Sequence, residues 1–350
     1  MEFYFEGQKY LAALRQAIAE ARRSLDLEMY IFASDAVGWD FAERLARKAQ
    51  EGLRVRVLYD SIGCKGTAEQ LWIMLEENGV RLQEYNPAFP LPRNLRRRNH
   101  RKVLLADGRV GFLGGFNLMD VDWRDTGVRL EEPDLVAELA AQFEIEWEKR
   151  HPEMRELARR RRRRRGEELS GLHIVPSYGM RRMGLIRHEY LRAVLRARER
   201  IDITNAYFVP DLGMLRALRK MAGRGVSVRI LTAGTSDVPV AKWASEAVYA
   251  KLLKAGARIF EYRPRILHAK SAVVDGRWFT VGSANIDHLS FLHNLEVNLI
   301  GVDVEAAEIL SRQFEADLAQ SREIQADEWR RRSRWARFRE QFFYAFRAWL

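Results

Sequence analysis

A single cysteine among 350 residues, Cys64, leaves no partner for an intramolecular disulfide, and no grouping of cysteine and histidine has the spacing of a structural zinc site. Both absences fit a reducing compartment. There is also no uncharged apolar run of about 18 residues, the least that spans a bilayer. The first thirty residues lack the basic-then-apolar order of a secretion signal. The expectation is a cytoplasmic chain, soluble or peripheral on the inner face of the cell membrane. Negative charge is the other shortage: 59 lysines and arginines face 48 acidic residues, a net charge of +11. That surplus favours polyanionic partners, whether nucleic acid, an anionic membrane or substrates carrying phosphate. With 47% hydrophobic residues the chain has enough apolar material for a large core, which excludes general disorder.

What is present is a duplication. In the first half Leu27–Phe32 reads as a buried strand, a helix runs to about Gln50, and Gly52 separates it from a strand at Leu53–Asp60. The second half repeats this with Ile201–Val209, a helix over about Gly213–Ala222 and a strand at Val226–Ala233. GVRLQEYNP (Gly79–Pro87) then matches GARIFEYRP (Gly256–Pro264), and NHRKVLLADGRVGFLGGFN (Asn99–Asn117) matches LHAKSAVVDGRWFTVGSAN (Leu267–Asn285). Strands alternating with helices predict an α/β fold with largely parallel central strands. Any two α/β halves share that rhythm. They do not by chance share His-x-Lys-x4-Asp with an Asn seventeen residues after each His.

The duplication divides the chain into a first half (1–152), an arginine-rich linker (153–171), a second half (172–320) and a basic, aromatic C-terminal helix (321–350). The linker contains seven consecutive arginines, Arg159–Arg165, which read first as a solvated stretch and second as a phosphate-facing patch. An insertion before His100, AFPLPRNLRRRN, is confined to the first half and is basic at Arg93, Arg96, Arg97 and Arg98. It is placed to line a site mouth.

On a strand, residues i and i+2 share a face. His100 therefore projects with Lys102, and His268 with Lys270. The Gly114–Gly115 and Gly282–Ser283 turns permit close approach of backbone to a ligand, and Asn117 and Asn285 offer amide donors. If the halves meet across a pseudo-twofold axis, one site holds two imidazoles, two ammonium groups and two amides, a set suited to clamping a phosphodiester. One imidazole can attack phosphorus while the other protonates the departing alkoxide. The lysines take the place of a Mg²⁺ clamp, so neither metal nor cofactor is expected. Asp107 and Asp275 each sit at a strand-to-turn junction before a glycine, where a turn role competes with a chemical one.

These two segments resemble the paired HKD motifs, H-x-K-x4-D-x6-G-[GS]-x-N, of the phospholipase D superfamily. The resemblance implies two phospholipase D-like repeats, each a mixed, mostly parallel sheet flanked by helices, with the active site at their interface and a phosphohistidine intermediate formed without metal. It implies catalytic roles for His100, Lys102, Asp107, His268, Lys270 and Asp275, and phosphate binding by both lysines, Asn117 and Asn285. In relatives an acidic residue further along each half orients a catalytic histidine; Asp125 (in WRDTGVRL) and Glu296 (in NLEVNLI) match those positions. The nucleophile is the first-half histidine in many members, which points to His100, with His268 as the acid.

Longer stretches, EMYIFASDAVGWDFAERLARKAQEGLRVRVLYDSIGC and GSANIDHLSFLHNLEVNLI among them, are similar to bacterial cardiolipin synthases. DHLS, with leucine before the serine, resembles the cardiolipin synthase B type, as does the lack of N-terminal spanning helices. The resemblance implies transfer of a phosphatidyl group from phosphatidylglycerol or phosphatidylethanolamine to an alcohol such as glycerol or phosphatidylglycerol. The alternatives are a phospholipase D hydrolase and a nuclease of the same superfamily, with nucleic acid the lesser partner. The seven-arginine run and the aromatic tail depart from the family pattern. On a helix, Trp335, Phe338, Phe342, Phe346 and Trp349 form one stripe beside Arg330, Arg331, Arg332, Arg334, Arg337 and Arg339. Such a helix either lies on an anionic membrane surface or packs on the protein's own core.

Overall fold

The computed structural model describes residues 1–87, 97–149, 171–179 and 184–346. The Arg159–Arg165 run, the linker up to residue 170, most of the insertion before His100 and Trp349 lie outside them. The first half contains β1 (Glu2–Glu6), α1 (Gly7–Glu20), β2 (Ser24–Met29), α2 (Ala36–Gln50), β3 (Arg54–Asp60), α3 (Glu69–Glu77), β4 (Arg81–Tyr85), β5 (Val103–Ala106), β6 (Val110–Gly114), β7 (Arg124–Leu130) and α4 (Pro133–Trp147). The second contains β8 (Leu172–Tyr178), α5 (Leu185–Arg196), β9 (Arg200–Asn205), α6 (Leu212–Ala222), β10 (Ser227–Ala233), α7 (Pro239–Leu253), β11 (Arg258–Tyr262), β12 (Lys270–Val274), β13 (Trp278–Gly282), α8 (His288–Leu292), β14 (Leu295–Val302) and α9 (Val304–Ala319). A short strand β15 (Ser321–Glu323) and helices α10 (Ala326–Arg330) and α11 (Arg334–Ala345) follow.

The strand order of the first sheet is β1-β7-β6-β5-β2-β3-β4, and that of the second, read from the other edge, is β8-β14-β13-β12-β9-β10-β11-β15. The two orders are the same apart from the extra edge strand. Parallel pairing, expected to predominate, is confined to β2-β3-β4 and β9-β10-β11; all other strand pairs are antiparallel. The sheets are mixed rather than mostly parallel. The cause is local: the Asp-Gly turns after β5 and β12 are tight hairpins, which can join only antiparallel strands.

Local chemistry sets the helix starts. Asp35 accepts from Gly38 N at 2.9 Å ahead of α2, and Asp211 accepts from Gly213 N and Met214 N ahead of α6. Such caps are each worth about 1 kcal/mol. Alternation along β5 then sends Leu104 and Ala106 to a core shared with α1–α3, while Val103 and Leu105 turn the other way. There they meet Val273, Val281 and Val297 of the second sheet. Each sheet therefore has one face under helices of its own half and the other buried against its twin, together with α4 and α9. Fully burying a side chain of this size contributes roughly 1.5–3 kcal/mol, so the halves are held together by core packing.

The C-terminal region is not one helix over 321–350. It begins with the strand β15, which pairs with β11, and α11 starts afresh at Ser333, whose hydroxyl accepts from Ala336 N at 3.1 Å.

Candidate active site

The two motif histidines sit just ahead of β5 and β12, at the ends of the sheets where the halves touch. Four backbone bonds cross between the halves there. His100 N donates to Leu295 O at 3.0 Å and Leu295 N to Arg98 O at 2.8 Å; His268 N donates to Arg124 O at 2.8 Å and Arg124 N to Ile266 O at 2.9 Å. Each histidine is thereby docked beside the strand of the opposite half, one residue before that strand's carboxylate. The consequence is an exchange. His268 Nδ1 pairs with Asp125 of the first half at 2.6 Å, and His100 Nδ1 with Glu296 of the second at 3.1 Å. Sequence matching identified both carboxylates but not that each serves the other half's histidine.

A carboxylate on Nδ1 fixes the tautomer that leaves Nε2 for chemistry. Both histidines, both lysines and both carboxylates are buried. Burial, then the charges of Lys102, Lys270 and His268, holds His100 well below its ordinary value. Burial and Lys270 also lower His268, against the opposing pull of Asp125. Burial drives Lys102 well down and lowers Lys270. Lys102 Nζ donates to His100 O at 2.6 Å, and Lys270 Nζ contacts the carbonyl of His268. Lys270 Nζ also lies 2.8 Å from His268 Nδ1, a nitrogen already committed to the closer Asp125. A buried cluster this rich in cationic groups is short of negative charge, and an anion entering it would relieve the penalty.

The two carboxylates are not equivalent. Burial would raise Asp125, but Lys270 and His268 overcome it and hold it below the usual carboxylate range. Burial wins at Glu296, which is pushed up to about 7. The facing residues differ as well, although the Ser283 bond pulls Glu296 down rather than up. Gly115 lies against Asp125 so closely that a Cβ there would collide with the carboxylate. The matching residue in the second half is Ser283, whose hydroxyl donates to Glu296 Oε2 at 2.5 Å.

Asn117 accepts from Ile31 N at 3.2 Å through Oδ1, which leaves its amide nitrogen to donate. Among the described residues Asn285 Oδ1 has no partner although buried, and neither has Asn205 Nδ2. Asn205 is opposite Lys270 in the β9–β12 register. Orphaned buried polar atoms beside a cation cluster suit a polar ligand. Asp107 and Asp275 are at the far ends of β5 and β12, away from the imidazoles. Both adopt positive φ, 56° and 51°. Asp107 accepts from the backbone of Arg22, Arg23 and Ser24, and Asp275 from that of Arg198, Glu199 and Arg200. This corrects the expectation of a catalytic role: the aspartates cap turns and tie each hairpin to the neighbouring strand start.

Sequence reading missed several wall residues. The Tyr30 ring meets the His100 ring edge-on at 4.7 Å and lies under Lys102 at 4.8 Å. Trp123 and Tyr207 flank His268 at 5.1 and 6.0 Å, and the Tyr207 hydroxyl donates to Asp237 at 2.7 Å. Asp60 accepts from Asn99 N at 2.7 Å, which anchors the residue before His100. A signal existed in the duplication, since both strand segments LEMYIF and IDITNAYFV carry a Tyr and a Phe near their ends.

Known proteins resemble the chain in sequence and in fold. The family described as "Cardiolipin synthase, PLD-like domain" matches residues 14–147 and 190–318. A cardiolipin synthase of Oceanobacillus iheyensis is 33% identical, over 97% of this chain and 73% of that protein. Cardiolipin synthase B of Escherichia coli K12 is 35% identical, over 84% of this chain and 74% of that one. The crystal structure of a phosphatidylserine synthase of Haemophilus influenzae superposes with a TM-score of 0.77, covering 100% of this chain and 95% of that one at 13% identity. At that identity the likeness is one of fold.

Proposed function

This chain belongs to the cardiolipin synthase family of phospholipase D-like proteins, and from that premise we propose how its site works and on what. It is a phosphatidyltransferase of the phospholipase D type and acts on phospholipids. In our reading the His100 Nε2 lone pair attacks the phosphorus of a bound phospholipid while His268 gives its Nε2 proton to the departing alcohol, breaking the P–O bond. The product is a phosphatidyl–His100 intermediate and a neutral alcohol. Neutral His268 then takes the proton of an incoming alcohol, whose oxygen displaces His100 and closes the cycle. Lys102, Lys270, Asn117 and Asn285 hold the phosphoryl oxygens, and Asp125 and Glu296 orient the imidazoles.

One observation carries this reading: two buried imidazoles, each held by a carboxylate from the opposite half, share one cluster with two lysines. The carboxylate contrast favours the division of roles. Ionised Asp125 offsets part of the burial that lowers His268, so His268 takes up a proton more readily than His100, which is held well below its ordinary value beside a Glu296 pushed up to about 7.

We further propose phosphatidylglycerol or phosphatidylethanolamine as donor, glycerol or phosphatidylglycerol as acceptor, and a peripheral position on the cytoplasmic face of the cell membrane. No helix among the described residues is long and apolar enough to cross a bilayer. The test is mass spectrometry of lipids after incubating the protein with phosphatidylglycerol, phosphatidylethanolamine and glycerol, beside plasmid in EDTA. Cardiolipin or a newly made phosphatidylglycerol is the expected product. Phosphatidic acid alone would make it a hydrolase, and nicked plasmid with unchanged lipid a nuclease.

A further inference from the structure

The C-terminal segment is the part of the molecule that catalysis leaves unexplained. The inner face of α11 is fixed. Tyr344 is buried and its hydroxyl donates to Pro210 O at 3.5 Å, the Phe343 ring lies 5.0 Å from Trp243 of α7, and Gln341 Nε2 donates to Ala247 O at 3.4 Å. Buried Glu340 binds Arg332, which stacks on Trp329. The outer face is apolar. Trp335 is 72% exposed, Phe338 59%, and Phe342 and Phe346 49% each. Successive rings lie 5.6, 6.3 and 5.1 Å apart, so the four form one continuous row. Single exposed apolar side chains are ordinary, but a contiguous aromatic row on a firmly packed helix is not.

Charge and position narrow what covers it. Arg331, Arg334 and Arg337 stand exposed beside the row and have no ion-pair partner among the described residues, while the nearby acids Asp327 and Glu328 are engaged by Arg330 and Arg322. A second copy placed face to face would set arginines against arginines; an anionic surface would not. The helix also rests on segments that wall the active site. It packs on α7, which starts just after Asp237, the partner of Tyr207 beside His268, and it holds Pro210, three residues beyond Tyr207.

We propose that α11 is an interfacial helix. Its aromatic row sinks into the headgroup region of an anionic phospholipid bilayer, its arginines meet lipid phosphates, and the Tyr207–Asp237 wall of the site is held against the surface from which lipid is drawn. The proposal rests on the phospholipid reading of the site and has a readout independent of it. Co-sedimentation of the full chain with phosphatidylcholine vesicles, with and without phosphatidylglycerol, is compared for wild type, inactive His268→Ala, a Trp335→Ser/Phe338→Ser/Phe342→Ser variant and an Arg331→Gln/Arg334→Gln/Arg337→Gln variant. Turnover on a monomeric short-chain phospholipid is measured alongside.

The expected result is that His268→Ala binds vesicles like wild type, and that the aromatic variant loses at least about tenfold in vesicle binding with short-chain turnover unchanged. The arginine variant should lose on the order of fivefold per residue, on phosphatidylglycerol-containing vesicles alone. Undiminished vesicle binding by the aromatic variant overturns the proposal. So do parallel losses on vesicles and monomeric lipid, which would give the row a folding role, and a wild-type dimer that the aromatic variant converts to monomer while still binding vesicles. Vesicle binding without any phosphatidyl transfer would instead remove the catalytic reading and leave this one standing.

Discussion

The two histidines share a backbone scaffold but rest on opposite foundations. His100 is bedded in polar groups: Asn99 is held by Asp60 and Glu28, and Arg101 donates to the carbonyls of Glu296 and Ser177. Counting from the motifs, Leu267 and Ala269 stand where Asn99 and Arg101 do, and they belong to an apolar cluster with Leu231, Ala233 and Phe314. Duplication kept the strand order, the hairpin turns and the cross-half docking, and let the side chains flanking the histidines diverge. Equal backbones with unequal surroundings suit the proposed two-step reaction, in which one imidazole attacks and the other carries the proton.

The sharpest way to break this comparison is to exchange the carboxylates for amides. Asp125→Asn should lower turnover by a factor of about 10²–10⁴, because an ionised partner of the acid is lost. Glu296→Gln should cost only about tenfold, because that carboxyl is already near half-protonated at neutral pH. Equal losses in steady-state turnover would erase the proposed division of roles. Next comes the Gly–Ser exchange. Gly115→Ser drives a side chain into Asp125 and should cost about 1–3 kcal/mol of stability together with most activity. Ser283→Gly removes the hydroxyl's bond to Glu296 and the one it accepts from Val297 N, each worth about 1 kcal/mol, but introduces no clash. Chemical denaturation of the pair reads this asymmetry, and a well-folded, active Gly115→Ser would contradict it.

A smaller effect concerns pH. Glu296 has its folded-state pKa raised to about 7, so its contribution to stability is complete below its ordinary value of about 4.5 and is lost as pH rises through about 7. The Tm of wild type should therefore fall from pH 6 to pH 8 more than that of Glu296→Gln. Parallel Tm changes for wild type and variant would mean the carboxyl is already ionised in the folded protein. Smallest are the turn aspartates. Asp107→Ala and Asp275→Ala should each cost about 1–2 kcal/mol through lost backbone contacts and leave turnover per folded molecule within a factor of a few. A thousandfold loss in either would restore a chemical role.

Much of this was legible in the sequence because the duplication doubled every signal. His-x-Lys with Asp and Asn at fixed offsets marked both half-sites, and helix ends and strand rhythm placed most elements within a few residues. What was not legible depends on the meeting of the halves. No periodicity states that Asp125 serves His268 and Glu296 serves His100, since the exchange is set by cross-half bonds at Leu295 and Arg124. The antiparallel hairpins were hidden behind an α/β rhythm, although Asp-Gly turns at 107–108 and 275–276 carried the signal. The aromatic stripe of the tail is continuous from Trp335 to Phe346, with Trp349 outside the described residues, but which face packs inward depends on Tyr344 and Phe343 finding Pro210 and Trp243.

The claim beneath all of this is that one phosphorus atom is handled by both imidazoles. Rapid alkaline quench of the protein with a phosphodiester bearing a nitrophenol leaving group, followed by peptide mass spectrometry, addresses it directly. Such a leaving group needs no acid, so His268→Ala should still form one covalent adduct per chain, on the peptide containing His100, while His100→Ala forms none. Adducts on both histidines of the wild-type chain, or a stoichiometry of two, would mean two separate sites and would contradict the account.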